Sequence, residues 1–419
     1  MKKRLWELGK SLVILLLIVS LLFLTAAALP AEMIRSTPWL STLLQPIAPL
    51  LGLSQAELTY VEEVGSLTDA AQPLMISVRN SSGRATAQWD FTALDTTYET
   101  LGGMLGEALD TAGAFTTATP RQVQTALSGE SACFDFRFRL PPQLLASWLD
   151  AGCRDDAPSG MVYVLAIEDG QVNLYLSGGG SYRAATLVSA SALEELLEQF
   201  KPDGSQFAFE AGTRLSALTV IPGQAPSVAA GTGVSPCDNR YMEALATDLG
   251  FNPYDETRYT DSSGVTYFSE TNCSLQISAD GAILLTSSSA DRFQAAGTSL
   301  EILVEQARSL IEVAVGDTLG DARLYLSGVT QSGTATVCTF DYILGGIPVS
   351  YGKDAAACVT FDGPSVTELR LQAAGFSLTG DTLKIMPPAQ AMAILPDGGK
   401  LELEYRCAYS GSLSAGWKK

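Results

Sequence analysis

At 419 residues, with 47% hydrophobic and 17% charged positions, the chain is too long for one ordinary core and too apolar for extended disorder; two or three folded units of about 100–150 residues are expected. The formal charge is −19, and because Lys2, Lys3, Arg4 and Lys10 against Glu7 give the first ten residues +3, the remainder carries −22. Such a body offers no basic stripe to a polyanion, which argues against nucleic acid as a partner, and it has no histidine, which removes the commonest general base and the imidazole metal ligand together.

Residues Leu12–Leu29 run for eighteen positions without a charge, enough as a helix to span about 27 Å of bilayer core. The preceding cluster of positive charges orients such a span with residues 1–10 as a cytoplasmic tail, 11–30 as a transmembrane signal-anchor and the body outside. Ala26, Ala27 and Ala28 also supply the small residues of a signal-peptidase site. The apolar run exceeds the ~7–15 residues of a cleaved signal core, which favours retention, and either reading exports the body. Ser11, Ser20 and Thr25 bring small or hydroxyl side chains into or beside the span, where they favour close helix–helix contact in lipid. A stripe through Leu16, Ser20 and Phe23 is the expected face toward a partner helix.

Residues 31–72, with Pro38, Pro46 and Pro49, read as a stalk. A first α+β domain is expected over 73–222. It opens with a hairpin whose arms, 73–79 and 84–90, flank Asn80-Ser81-Ser82-Gly83. Leu94, Leu101, Met104, Leu105 and Leu109 recur at helical spacing, and Thr119-Pro120 begins a second helix. Phe134, Phe136 and Phe138 alternate with Asp135, Arg137 and Arg139, the period of a strand with one buried face. A hairpin at Asp169-Gly170 and a helix capped by Ser191 and running to Phe200 complete the unit.

Pro222, Pro226 and Pro236 in a Gly/Ala/Ser-rich stretch mark a linker near 222–237. A middle α+β unit, 223–297, is expected to hold a helix over about 238–249 ended by Gly250, then strands near 264–269, 273–278 and 282–287. The C-terminal unit, 298–419, begins with an amphipathic helix from Ser299 to Val315. Its apolar face carries Leu300, Leu303, Val304, Ala307, Leu310 and Ile311, with Glu301, Glu305, Arg308 and Glu312 mostly opposite. Strands near 322–329, 334–343, 355–361 and 365–373 follow, making a helix laid on a largely antiparallel sheet. The predicted fold class is therefore α+β: an N-terminal transmembrane helix and two or three extracytoplasmic domains of antiparallel sheet packed with helices.

Chemical motifs are scarce. Seven cysteines, at 133, 153, 237, 273, 338, 358 and 407, form no CxxC and read as small buried hydrophobes, with a pairing of Cys338 and Cys358 across neighbouring strands left open. Gly178-Gly179-Gly180 lacks the strand–GxxxxGK–helix context of a phosphate cradle. Asp155-Asp156 and Glu194-Glu195 read as solvated acids, and the Ser350-to-Lys353 spacing follows a turn, with no helix pattern after it. No catalytic residue, cofactor or metal site is expected, and the chain reads as a binding protein rather than an enzyme.

Three segments of the C-terminal part, TFDYILGGIPVSY (339–351), KIMPPAQAMAIL (384–395) and LELEYRCAYSGSLSAGW (401–417), together with DLGFNPYDETRYTDSSGVTYF (248–268), resemble the YycH/YycI family of bitopic accessory proteins of the WalK/WalR cell-wall two-component system in low-GC Gram-positive bacteria. The layout of basic tail, single span and external α+β body is shared. Ser414-Ala415-Gly416 before Trp417, where a proline is more typical, departs from the pattern. The resemblance implies an anchored regulator that modulates a membrane sensor histidine kinase by contact, largely through its span, alongside a paralogous accessory protein. The alternative is a secreted or anchored protein that binds envelope polymers, or acts on them without histidine.

Overall fold

In a computed structural model, residues 70–254, 258–288, 292–352, 354–407 and 411–418 are described. The expected span, most of the stalk and the positions Leu16, Ser20 and Phe23 lie outside them. Among the described residues no helix is long and apolar enough to cross a membrane.

The body is α+β, as the sequence predicts. Its first part runs β1 (Met75–Asn80), β2 (Gly83–Gln88), α1 (Phe91–Asp110), β3 (Thr116–Thr117), α2 (Pro120–Ser128), β4 (Ser131–Leu140), α3 (Pro142–Trp148), β5 (Gly160–Glu168), β6 (Gln171–Ser177), β7 (Ser181–Ala185) and α4 (Ala190–Leu197). The strands form a seven-stranded antiparallel sheet in the order β2-β1-β4-β5-β6-β7-β3. Local chemistry sets the element ends. Asp90 caps α1 by accepting from the Thr92 and Ala93 amides, Thr119 and Gln122 close a capping box on α2, and Asp169-Gly170 turn β5 into β6 with both residues at positive φ.

Two expectations change here. The cap of α4 is Ser189 rather than Ser191: Ser189 accepts from the Ala192 amide, and the helix ends at Leu197. β4 is buried on both faces at its start, not one. Phe134 faces the helices α1 and α3, while Cys133 lies against Val123 and Leu127 of α2, which cover the second side of the sheet. Beyond Asp135 the pairing with β5 shifts register and Arg137 takes a left-handed φ of 68°, so the simple alternation ends at a bulge.

The second part contains β8 (Gln206–Phe207), β9 (Val220–Ile221), β10 (Val228–Val234), α5 (Asn239–Asp248), β11 (Tyr259–Thr260), β12 (Val265–Ser269), β13 (Cys273–Ser278), β14 (Ala282–Ser287) and α6 (Leu300–Val315). After α6 come β15 (Ala322–Ser332), β16 (Ala335–Leu344), β17 (Ile347–Ser350), β18 (Ala357–Asp362), β19 (Ser365–Gln372), β20 (Gly375–Leu383), α7 (Pro388–Ile394), β21 (Leu403–Cys407) and β22 (Leu413–Trp417). The stretch read as a linker carries β10, which pairs antiparallel with β20 across Val228↔Leu383 to Val234↔Gly375. Backbone pairing with a distant strand gives this Gly/Ala-rich stretch an order that its composition does not advertise.

β14 pairs with β19, so strands on both sides of the expected 297/298 boundary belong to one sheet, ordered β11-β12-β13-β14-β19-β18-β16-β17-β21-β22 with β15 on β16. All its pairings are antiparallel except β17 with β21. α5 and α6 cover one face: Met242, Leu245, Leu303, Ala307 and Leu310 meet Leu275, Ile283, Phe340, Val359 and Leu369. That core is continuous with the one beneath the first sheet, and α6 touches α3 directly. Each large side chain fully buried there contributes about 1.5–3 kcal/mol. A second cluster around Phe376, Tyr405, Trp89 and Trp417 closes the far end under α7.

Cys133, Cys153, Cys237, Cys273, Cys338 and Cys358 form no disulfide. Cys338 faces Val359 and Thr339 faces Cys358 in the β16–β18 register, so the two cysteines point to opposite faces of the sheet and cannot pair.

Candidate functional site at the junction of the two sheets

Between α1 and the α6–β15 corner lies a cleft of about 1150 Å³. α1 presents Asp95 and Glu99 because they lie four apart on one helical face. α5 contributes its last residue, Asp248; α6 contributes Arg308 and Glu312; Asp317 follows in a single 3₁₀ turn, and β15 presents Arg323 and Tyr325 from alternate positions of one strand face.

The centre of this wall is an ion-pair lattice. Arg323 donates from Nη1 to Asp95 Oδ1 at 2.8 Å and from Nη2 to Asp95 Oδ2 at 2.7 Å, a bidentate fork. Its Nη1 also donates to Gln72 Oε1 at 3.1 Å and to the Tyr325 hydroxyl at 3.0 Å, while Gln72 donates to Asp95 Oδ1 at 2.6 Å and Tyr325 donates to Gln72 Oε1 at 2.9 Å. The guanidinium lies 4.0 Å from the Phe91 ring centroid. The Arg323 hydrogen bonds hold the Asp95 carboxyl below the usual carboxylate range, and the same contacts raise Arg323. Ala70, Ala71 and Gln72, the end of the expected stalk, are buried in this junction.

A second lattice lies behind α6. Glu305 accepts from Trp148 Nε1 of α3 at 3.0 Å and from Arg308 Nη1 at 2.6 Å. It is 5% exposed, although its charge places it on the expected wet face. The cause is that α6 is covered on two sides, by the sheet and by α3.

What remains for a ligand is acidic. Among the described residues Glu99, Asp248, Glu312 and Asp317 enter no ion pair, and burial raises the Asp248 carboxyl. The described lining contains no cysteine, lysine or histidine. The cleft can therefore hold a cationic or amine-bearing group by charge and hydrogen bonding, and it presents no nucleophile–base pair.

The other residues singled out from sequence lie apart from this cleft. Asp156 is held by a fork from Arg154 at 2.8 and 3.0 Å on the surface, and Glu194 and Glu195 are exposed on α4. Gly178–Gly180 form the β6–β7 turn. Ser350 sits in β17 with its hydroxyl donating to the Gly352 carbonyl, and Lys353 lies outside the described residues. Among the described residues no group of three or more His, Cys, Asp or Glu could hold a metal ion. Burial pushes the thiols of Cys153 and Cys237 up to about 11 and that of Cys338 up to about 12, the opposite of nucleophile activation. Asp95, Arg323 and Gln72 escaped sequence reasoning because they are 228 and 251 positions apart, and the pairing leaves no local signal. Compared with protein-family models, curated proteins and solved structures, the chain matches none.

Proposed function

We propose that this chain is a membrane-anchored, extracytoplasmic regulator that modulates a sensor histidine kinase of a cell-envelope two-component system by protein–protein contact, as its resemblance to YycH/YycI implies. The observation that carries the reading is the chemistry of the junction cleft. Asp95 of α1 is taken up by Arg323 of β15 across the two sheets, and Arg308 by Glu305 within α6, which suits a body that transmits a contact rather than one that turns over a substrate. The eighteen-residue apolar run after a basic tail supports the anchor, and the kinase and a paralogous accessory protein are the partners.

The test is a span-wide substitution scan read by a target-promoter reporter and by protein level in the membrane fraction. Bulky replacement at Ser20, with Leu16 and Phe23 on the same stripe, changes signalling while insertion is kept; Leu17 and Leu21 tolerate the same change. Equal tolerance at every position, with the detached body fully active, overturns contact through the span. Activity of a reporter fused after Gly52 in the cytoplasm overturns the orientation.

A further inference from the structure

The face of the large sheet turned away from α5 and α6 carries a chemistry unlike the rest of this acidic body. Residues alternate cleanly between buried and half-exposed along β12, β13, β14 and β18, so the outward set is fixed by register. On β12–β14 that set includes Tyr267, Ser274, Gln276, Leu284 and Thr286, and none of its members is charged. On β19 the outward charges Glu368 and Arg370 neutralise each other at 2.6 Å. In a body of net charge −22, three adjacent strands carry no carboxylate on this face, and the nearest, Asp261 of the β11–β12 turn, accepts from the Tyr267 hydroxyl at 3.2 Å.

One row crosses this face from the sheet edge inward: Tyr259↔Tyr267, Tyr267↔Gln276 and Gln276↔Leu284 are directly opposed. The Tyr259 and Tyr267 rings stack at 4.7 Å with 7° between their planes. Among the described residues β11 is the terminal strand of the sheet, so the second ring face of Tyr259 looks past the edge, and the residue is 56% exposed. Beside this aromatic step, Ser274 and Thr286 share a hydrogen bond at 2.8 Å and Gln276 offers an amide with both donor and acceptor.

We propose that this face binds a neutral, unbranched carbohydrate chain whose sugar ring stacks on Tyr259 and whose hydroxyl and amide groups meet Gln276 and the Ser274–Thr286 pair. A sugar ring presents C–H groups to an aromatic face and hydrogen-bonding groups around its rim, which this row matches element by element. A second protein fits less well, because a stable protein interface needs a desolvated apolar centre and Leu284 is the one large aliphatic side chain in this row. The carboxylate that reaches this row, Asp261, accepts from the Ser263 hydroxyl, the Ser263 and Val265 amides and the Tyr267 hydroxyl, so its hydrogen-bonding capacity is taken up within the turn and the row suits an uncharged polymer. This inference goes beyond the regulatory reading and is tested without a kinase.

The probe is the N-acetylglucosamine hexasaccharide, titrated calorimetrically into the purified full chain in lipid nanodiscs. Binding by the native chain is expected, and Tyr259→Ala weakens it about tenfold, the loss of one stacking contact. Tyr259→Trp, which keeps an aromatic face on the same edge, holds the affinity and controls for folding at β11. Gln276→Ala weakens binding about threefold, the loss of one neutral hydrogen bond. No binding by the native chain up to saturating sugar, or equal affinity in Tyr259→Ala and the native chain, overturns the proposal. So does loss of affinity in Tyr259→Trp as large as that in Tyr259→Ala.

Discussion

Asp95 and Glu305 are both carboxylates held by arginine, yet they respond to different perturbations. The Asp95 carboxyl is lowered from 3.8 chiefly by the hydrogen bonds of Arg323. A carboxyl with a lowered folded pKa contributes stability that is present above its unfolded value and lost as the pH falls through the folded value. Asp95→Asn is therefore expected to flatten the acid limb of the stability curve below about pH 4 relative to the native chain. Urea unfolding of both at a series of pH values measures this, and parallel curves would refute it. Glu305 is buried and carries two donors, so Glu305→Ala strands the Trp148 indole N–H and the Arg308 charge together. A loss of about 2–4 kcal/mol is expected. Glu312→Ala, about two turns further along α6 at an exposed position, should stay within about 0.5 kcal/mol. Equal effects in denaturant unfolding would place Glu305 on the surface.

At the scale of elements, the β16–β17 hairpin shows how one turn is fitted to another element. Gly345 and Gly346 both take positive φ, the two-residue turn that matches strand twist. A Cβ on Gly346 would stand 2.7 Å from the Asp90 amide nitrogen, at the cap of α1, whereas at Gly363, also at positive φ, nothing lies within 4 Å. Gly363→Ala should cost about 1 kcal/mol for conformation alone, and Gly346→Ala about 2–3 kcal/mol because strain and displacement of the α1 cap add. Thermal unfolding of the two variants compares them directly.

The same contrast explains what the sequence disclosed. The hairpins at Asn80–Gly83 and Asp169-Gly170, the Thr119-Pro120 helix start and strands β12–β14 were legible because turn chemistry and two-residue alternation are local. β10, the second covered face of β4, and buried Glu305 were not, because each depends on an element more than a hundred residues distant or on a helix packed from the far side. The candidate cleft was illegible for the same reason: its fork joins α1 to β15. Tyr267, Gln276 and Leu284 fell in expected strands, but β11 with Tyr259 did not, and the exposure of Tyr259 follows from β11 being the last strand of the sheet among the described residues.

Across the whole molecule, contacts between the two large sheets are of the kind that make a single folding unit. One continuous core passes from Phe134 and Leu145 through α6 to Leu369, and polar ties cross it at Asp95–Arg323, Trp148–Glu305 and Arg137–Glu402, the last at 2.8 Å. Trp89, which follows β2, packs edge-on to Trp417 of β22 with ring centroids 5.5 Å apart, so the first hairpin and the last strand of the body report on the same junction. If the halves unfolded separately, opening the junction would expose the apolar faces of α1, α3 and α6 to water at about 25 cal/mol per Å² while neither half gained the chain entropy of full unfolding. A body comprising residues 70–419 is thus expected to unfold in one transition, with tryptophan fluorescence and far-ultraviolet circular dichroism coinciding in urea. A fragment ending at residue 235 lacks α6 and should bind a hydrophobic dye and lose the cooperative transition. Two separated transitions in the full body, or a cooperatively folding fragment, would show that the first sheet stands alone and that the junction is a docking contact made after folding.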